Sequence, residues 1–252
     1  LYDINKEIIE RGLSIINKNL NRQLNKGSIT REQMLKTLEN ISSSTAIDIM
    51  HDSDIIIEAA TENLDIKSSI FNQLDQISQE KCILASNTSS ISISKIAKST
   101  NRPDKVIGMH FMNPVPIMKL VEVIKTKDTS ENTIQTIMDT AKKIKKFPVQ
   151  CLDSPGFISN RILMPMINEA IYSLMEEVAT KESIDEIMKL GMSHPMGPLA
   201  LADLIGLDVC LSILNVLKEG FDDSKYDPCP LLIKMCKEGK LGRKTKEGFY
   251  KY

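Results

Sequence analysis

Residues 82–90, CILASNTSS, and residues 106–124, VIGMHFMNPVPIMKLVEVI, decide how this chain folds. Each begins as an apolar run and ends in polar residues. Cys82 to Ser86 runs into Asn87-Thr88-Ser89-Ser90, and Val106 to Met109 runs into His110. Apolar runs without alternation are the mark of strands buried on both faces of a parallel sheet. Ligands of open α/β sheets bind in the crevice beyond the carboxyl ends of the strands. The Ser/Asn cluster and His110 are therefore expected to face one crevice.

The same pattern extends outward. Asp54 to Ala60 (DIIIEAA) reads as another buried strand, and Ile66, Ile70, Leu74 and Ile77 mark the helix after it. A short helix near 94–99, a strand at 119–124, a helix from Thr133 to Ile144 and a strand from Pro148 to Leu152 continue the alternation. Strand alternating with helix implies a parallel sheet with helices on its faces. Upstream, Leu1-Tyr2-Asp3 reads as the end of a strand. Ile9, Leu13, Ile16, Leu20 and Leu24 then recur at helical spacing up to Gly27. Thr30 and Gln33 form a capping-box start for a second helix, giving a helical hairpin.

Beyond Asp153-Ser154-Pro155-Gly156 only helical patterns remain, near 157–177, 182–190, 199–218 and 230–238, closed by an irregular tail. The expected class is α/β, an incomplete Rossmann-type parallel sheet followed by an all-α C-terminal domain. The boundary is placed at Leu152, giving segments 1–152 and 153–252.

The 252 residues are 42% hydrophobic, enough to bury a full core, and the net charge of −1 gives no general pull toward nucleic acid or anionic membrane. Cys82, Cys151, Cys210, Cys229 and Cys236 have no paired spacing and read as reduced thiols. No apolar run is long enough to span a bilayer. The expected location is the cytoplasm, and no metal is expected.

His110 closes a strand, and a neutral imidazole has an ordinary pKa near ~6.5, suited to acid–base work near neutral pH. The plainer reading is a histidine satisfied at a strand end. Glu122 sits among Leu120, Val121, Val123 and Ile124, where a carboxylate is costly to bury unless paired. Its expected partner is His110, although alternation alone also permits a wet strand face.

Five ordered motifs carry a resemblance: SNTSS (86–90), GMHFMNPVPIMKLVEVI (108–124), DSPGFISNRIL (153–163), MKLGMSHPMGPLALADLIGLD (188–208) and GRKTKEGFY (242–250). Together they resemble the short-chain 3-hydroxyacyl-CoA dehydrogenases, with the nearest look to the bacterial 3-hydroxybutyryl-CoA enzymes of butyrate-forming fermentation. The resemblance runs from Asp3 to Tyr252. It implies an N-terminal Rossmann domain that binds NAD, a helical C-terminal domain that dimerises, and an active site between them. It also implies a preceding strand and GxGxxG turn that this sequence does not contain, so the chain by itself is expected to be inactive while a longer parent is active. The alternatives carried beside it are a non-catalytic dimerising homologue and a dehydrogenase of another hydroxy acid.

The resemblance assigns His110 and Glu122 as a catalytic dyad, with Ser89 and Asn160 bonding the substrate's 3-oxygen. Read from the residues alone, Ser89 is a cap or turn residue and Asn160 a helix cap. For NAD it assigns Asp3, whose plain reading is a helix N-cap, together with Asn87, Ser89 and Asn113, the last of which could instead shape the turn before Pro114. Glu62 and Lys67 also match cofactor positions, although unaided they read as solvated charges. Lys244 matches another, or is a mobile surface lysine. Asn19 and Lys26 on the helical hairpin would touch CoA, and a lysine near a helix C-terminus is also simply favourable.

Overall fold

The computed structural model describes all 252 residues. Its central sheet holds β1 (Ile55–Glu58), β2 (Ile83–Ser86), β3 (Val106–Phe111), β4 (Leu120–Lys125) and β5 (Phe147–Leu152), side by side in that order. Side chains alternate across the sheet, as the two-residue repeat of a strand requires. Leu84, Val106 and Ile124 point to the face covered by α3 (Leu64–Ile77) and α4 (Ile93–Ala97), where they pack with Phe71, Leu74, Ile93 and Ile96. Ile83, Ala85, Ile107, Met109, Val121 and Val123 point to the other face, against Ile134, Ile137 and Ala141 of α5 (Glu131–Lys143).

The expectation of a purely parallel sheet needs one correction. β1–β2, β2–β3 and β4–β5 are parallel, but β3 and β4 are antiparallel. The link between them, Met112–Lys119, contains no helix. A parallel neighbour needs a crossover of about a dozen residues or more, usually helical, so the chain turns back instead.

The N-terminal helical hairpin is present as α1 (Lys6–Asn25) and α2 (Arg31–Glu39). Thr30 and Gln33 form the reciprocal capping box, with the Gln33 amide donating to the Thr30 hydroxyl at 3.2 Å and the Thr30 amide to the Gln33 side chain at 2.9 Å. Tyr2 pairs with Ser44 in an isolated parallel bridge, a trace of the strand end read at Leu1–Asp3.

No strand follows β5. The remaining helices are α6 (Ser159–Met175), α7 (Lys181–Gly191), α8 (Pro198–Ile205), α9 (Leu207–Phe221) and α10 (Pro230–Lys237). They share one core that includes Met164, Ile167, Leu199, Leu207, Leu214, Leu217 and Leu232. The single helix expected over 199–218 is broken. Gly206, at φ 107° and ψ 126°, takes a backbone shape that other residues rarely adopt, and it turns the chain between α8 and α9. The tail is irregular but anchored. The buried Asp203 carboxylate accepts from the Phe249 and Tyr250 amides, both at 2.9 Å, and from the Tyr252 hydroxyl at 3.1 Å. No single helix is long and apolar enough to cross a membrane.

Candidate active site

The reversal between β3 and β4 sets His110 directly across from Glu122. Directly opposed residues project to the same face of a sheet. Both sit in register with Gly108 and Ile124, on the face that packs toward α3 and α4. Both side chains are buried. His110 Nδ1 lies 2.9 Å from Glu122 Oε2, and Nε2 makes no hydrogen bond within the chain. With the carboxylate ionised, Nδ1 carries the proton and donates it to Oε2, which leaves the Nε2 lone pair available in the neutral ring. Phe157 packs against the imidazole with ring centroids 5.9 Å apart.

The rest of the Glu122 environment comes from the start of α6. The turn Ser154–Phe157 places Gly156 at φ 70° and Phe157 at φ 52°, both left-handed, and so aims the first amides of α6 at the carboxylate. Glu122 Oε1 accepts from the Ile158 amide at 3.3 Å and the Ser159 amide at 3.0 Å, and Oε2 also accepts from the Ser159 hydroxyl at 2.7 Å. Burial alone would raise the Glu122 pKa. The hydrogen bonds from His110 and Ser159 overcome that and hold it below the ordinary carboxylate range.

The next residue of α6, Asn160, donates its side-chain amide to the Ser89 carbonyl at 2.9 Å. The start of α6 therefore touches both the dyad and the loop after β2, and gathers His110, Glu122, Ser89 and Asn160 into one cluster. The Ser89 hydroxyl makes no hydrogen bond within the chain and remains free. Neither Ser89 nor Asn160 is the cap suggested by residue type alone: the Asn160 side chain crosses to another segment, and α4 is capped by Ser92, which accepts from the Lys95 amide at 3.3 Å.

Around the crevice, Asn87 Oδ1 accepts from the Phe111 amide at 2.9 Å, tying the loop after β2 to the end of β3. Its NH2 group stays unengaged. Glu62 clamps the same loop. One oxygen accepts from the Thr88 hydroxyl at 2.6 Å, the Ser89 amide at 2.9 Å, and the Ser90 amide and hydroxyl at 3.0 Å each. Its burial favours protonation, but these donors and Lys67 outweigh it and lower the pKa. Lys67 is fully buried rather than solvated, paired with Glu58 at 2.7 Å and lying 3.6 Å from Glu62. Glu58 in turn accepts from the Ser86 hydroxyl at 2.6 Å.

Five assigned residues lie apart from this cluster. Asp3 accepts from the Asn5 amide at 3.1 Å. Asn19 is half-buried on α1, and Lys26 is exposed at the end of that helix. Lys244 is held in an ion pair by Asp208 at the start of α9, in the helical part of the chain. Asn113 is exposed in the turn before Pro114. Residue-by-residue reading missed Ser159, Glu58 and Phe157. Only the place of Ser159, next to Asn160 at a helix start after Pro-Gly, could have drawn attention to it.

The groups left free in the loop after β2 suit the sugar and carboxamide half of a nicotinamide cofactor. The Asn87 amide and Ser89 hydroxyl suit neutral hydroxyls and amides, and no unpaired cation stands among them.

Comparison with known proteins bears on this geometry. Residues 1–154 match the family profile described as "3-hydroxyacyl-CoA dehydrogenase, NAD binding domain", and residues 156–252 match "3-hydroxyacyl-CoA dehydrogenase, C-terminal domain". The chain is 55% identical to the probable 3-hydroxybutyryl-CoA dehydrogenase of Bacillus subtilis (strain 168), across 100% of this chain and 88% of that protein. It is 54% identical to the 3-hydroxybutyryl-CoA dehydrogenase of Clostridioides difficile, across 97% of this chain and 87% of that one. The crystal structure of (S)-3-hydroxybutyryl-CoA dehydrogenase from Ralstonia eutropha superposes with a TM-score of 0.97 at 48% identity, covering 100% of this chain and 89% of that one.

Proposed function

The chain belongs to the 3-hydroxyacyl-CoA dehydrogenase family, and from that premise we propose that it interconverts acetoacetyl-CoA and (S)-3-hydroxybutyryl-CoA, with His110 as acid–base and Glu122 as its partner. The reaction is acetoacetyl-CoA + NADH + H⁺ ⇌ 3-hydroxybutyryl-CoA + NAD⁺. The observation that carries the reading is the buried His110–Glu122 pair at 2.9 Å with Nε2 left free.

When bound, the nicotinamide cofactor would supply the chemistry of hydride transfer, as donor in its reduced form and as acceptor in its oxidised form, at carbon three of the acyl group. In the oxidising direction neutral His110 accepts the hydroxyl proton at Nε2. Glu122 holds the ring in the tautomer that can do so, and its charge stabilises the imidazolium that forms. In the reducing direction the same Nε2 returns the proton to the oxygen. In this reading the Ser89 hydroxyl and the second N–H of the Asn160 amide, whose first bonds the Ser89 carbonyl, would donate to that oxygen and stabilise charge as it develops. Asn87 and Glu62 shape the loop that would hold the cofactor's nicotinamide half, while Lys67 supports that loop from within. Asp3, Asn113 and Lys244 remain assigned to the cofactor, and Asn19 and Lys26 to CoA, by family position alone.

The enzyme is proposed to be a homodimer through its helical part. Large apolar side chains stand uncovered there, among them Ile162 of α6, 67% exposed, and Leu190 of α7, 81% exposed. A pocket of about 520 Å3 between α6 and the His194–Met196 loop, lined by Ile158, Ile162, Leu163 and Met166, adds to this apolar surface. The five cysteines are all unpaired, which fits a reducing compartment such as the cytoplasm.

A substrate panel tests the reading. The intact enzyme is expected to oxidise NADH with acetoacetyl-CoA at least about 100-fold more efficiently (kcat/KM) than with free acetoacetate, since remote binding energy is drawn on for the chemical step. Equal rates with and without CoA would favour a dehydrogenase of another hydroxy acid instead.

A further inference from the structure

α6 begins without a cap of its own. The residue before it, Ile158, offers no side-chain acceptor, and the hydroxyl of its first residue, Ser159, does not turn back to the helix. The groups that a helix start normally leaves unsatisfied are directed instead at a carboxylate on the sheet. Two amides reach Glu122 Oε1, while the Ser159 hydroxyl reaches Oε2, the oxygen already paired with His110. A carboxylate oxygen has two lone pairs, and both of those on Oε2 are taken, one by the imidazole and one by the hydroxyl. Resting on the dyad reading above, we infer that Ser159 is a positioning residue of the reaction: its hydroxyl fixes the rotation of the Glu122 carboxylate and keeps it ionised against the imidazole.

The amides of α6 hold only Oε1. Without the Ser159 hydroxyl, Oε2 keeps the His110 contact alone, and the carboxylate can swing about its last side-chain bond. The charge on Glu122 also loses one of the donors that offset its burial. The titratable groups facing Glu122 are few. His110 faces it from β3. Cys151 lies beside it on β5, and its pKa is pushed up to about 11, first by burial and then by the charge of Glu122, so the thiol stays neutral. From α6 only Ser159 and backbone amides reach the carboxylate. The acid that orients the imidazole therefore sits in the sheet, while the groups that orient the acid sit on the first turn of the helical part. The relay is complete only while α6 stays seated on β4.

The test is the pH profile of acetoacetyl-CoA reduction by the intact enzyme, for the wild type, Ser159→Ala and Ser159→Thr. In this direction the imidazolium is the proton donor, so the acid limb of kcat reports protonation of Glu122. For Ser159→Ala, the acid limb should move up by about one pH unit, because a donor to the charged form has been lost. Its plateau kcat should fall by about three- to tenfold, in line with one lost hydrogen bond, with the KM for acetoacetyl-CoA held within about twofold, as expected when ground-state binding is intact. Ser159→Thr, which keeps the hydroxyl, should restore both the limb and the plateau. An acid limb that stays in place in Ser159→Ala, or a loss that Thr does not rescue, would overturn the inference while leaving the dyad reading intact. Absence of acetoacetyl-CoA reduction by the wild type would overturn both.

Discussion

A carboxylate among apolar side chains persists only where its lone pairs are filled, and three of the buried carboxylates of this protein meet that condition in different ways. Glu122 is filled by His110 and the start of α6. Glu58 is filled by Lys67, Ser86 and the backbone. Asp75 is filled by the Asn101 amides at 2.8 and 2.9 Å and by Arg102 at 2.6 Å. Breaking the Glu58–Lys67 pair leaves one buried charge uncompensated. Lys67→Met should therefore cost about 3–5 kcal/mol in urea unfolding, and the double variant Glu58→Gln with Lys67→Met should recover much of it. A loss under about 1 kcal/mol would show that the pair is wet, as for an exposed ion pair. Burial opposes ionisation of Asp75, but its donors prevail and its pKa is lowered. The sign follows from linkage. A carboxylate with a depressed folded pKa stabilises the fold above its unfolded value near ~3.9, and that stability is lost as the pH falls through the lower folded value. Acid unfolding monitored below about pH 4 should thus be shallower in Asp75→Asn than in wild type, with the variant less stable at pH 7. Much at this scale was legible beforehand. The pairing of Glu122 with His110 follows from the cost of burying a charge. Lys67 was not legible by that route, because the letters around it do not show that the first turn of α3 points inward at the end of β1.

Strand and helix periods located nearly every element but carried no information on strand direction. The reversal at β4 was hidden for that reason, although the helix-free link Met112–Lys119 contained the clue in its length. The reversal matters functionally, since it puts Glu122 near the start of β4 opposite the end of β3. Gly206 was equally silent, because one glycine inside an apolar stretch fits either a continuous helix or a break. At Gly156 the demand is sharper. A Cβ there would lie 2.6 Å from Leu217 Cδ2 and 3.2 Å from the Arg161 amide, at a φ of 70°. Gly156→Ala should destabilise by about 1–3 kcal/mol through overpacking. It should also shift the first turn of α6, lowering kcat more than it weakens NADH binding. Thermal unfolding and cofactor titration on the same preparation separate the two effects. An equal loss of kcat and of NADH affinity would contradict the view that this turn serves the dyad.

At the scale of the whole molecule, a sheet carrying the His110–Glu122 pair is joined to a helical part whose first turn bonds both Glu122 and the loop after β2. The uncovered apolar side chains of α6 and α7 were not visible in the sequence, where the same residues read equally well as core. If they form the dimer, Leu190→Glu should convert the enzyme to a monomer in sedimentation velocity at micromolar concentration, since a charge opposed to apolar surface is costly to desolvate. An unchanged sedimentation coefficient would place the contact elsewhere. The proposed catalysis depends on a proton passing through His110 to and from the oxygen on carbon three. Single-turnover reduction of acetoacetyl-CoA by NADH bound to His110→Asn tests this most directly. The predicted result is a rate lowered by about 10²- to 10⁴-fold, with NADH affinity and unfolding midpoint close to those of the wild type. A rate within a few-fold of wild type would contradict it.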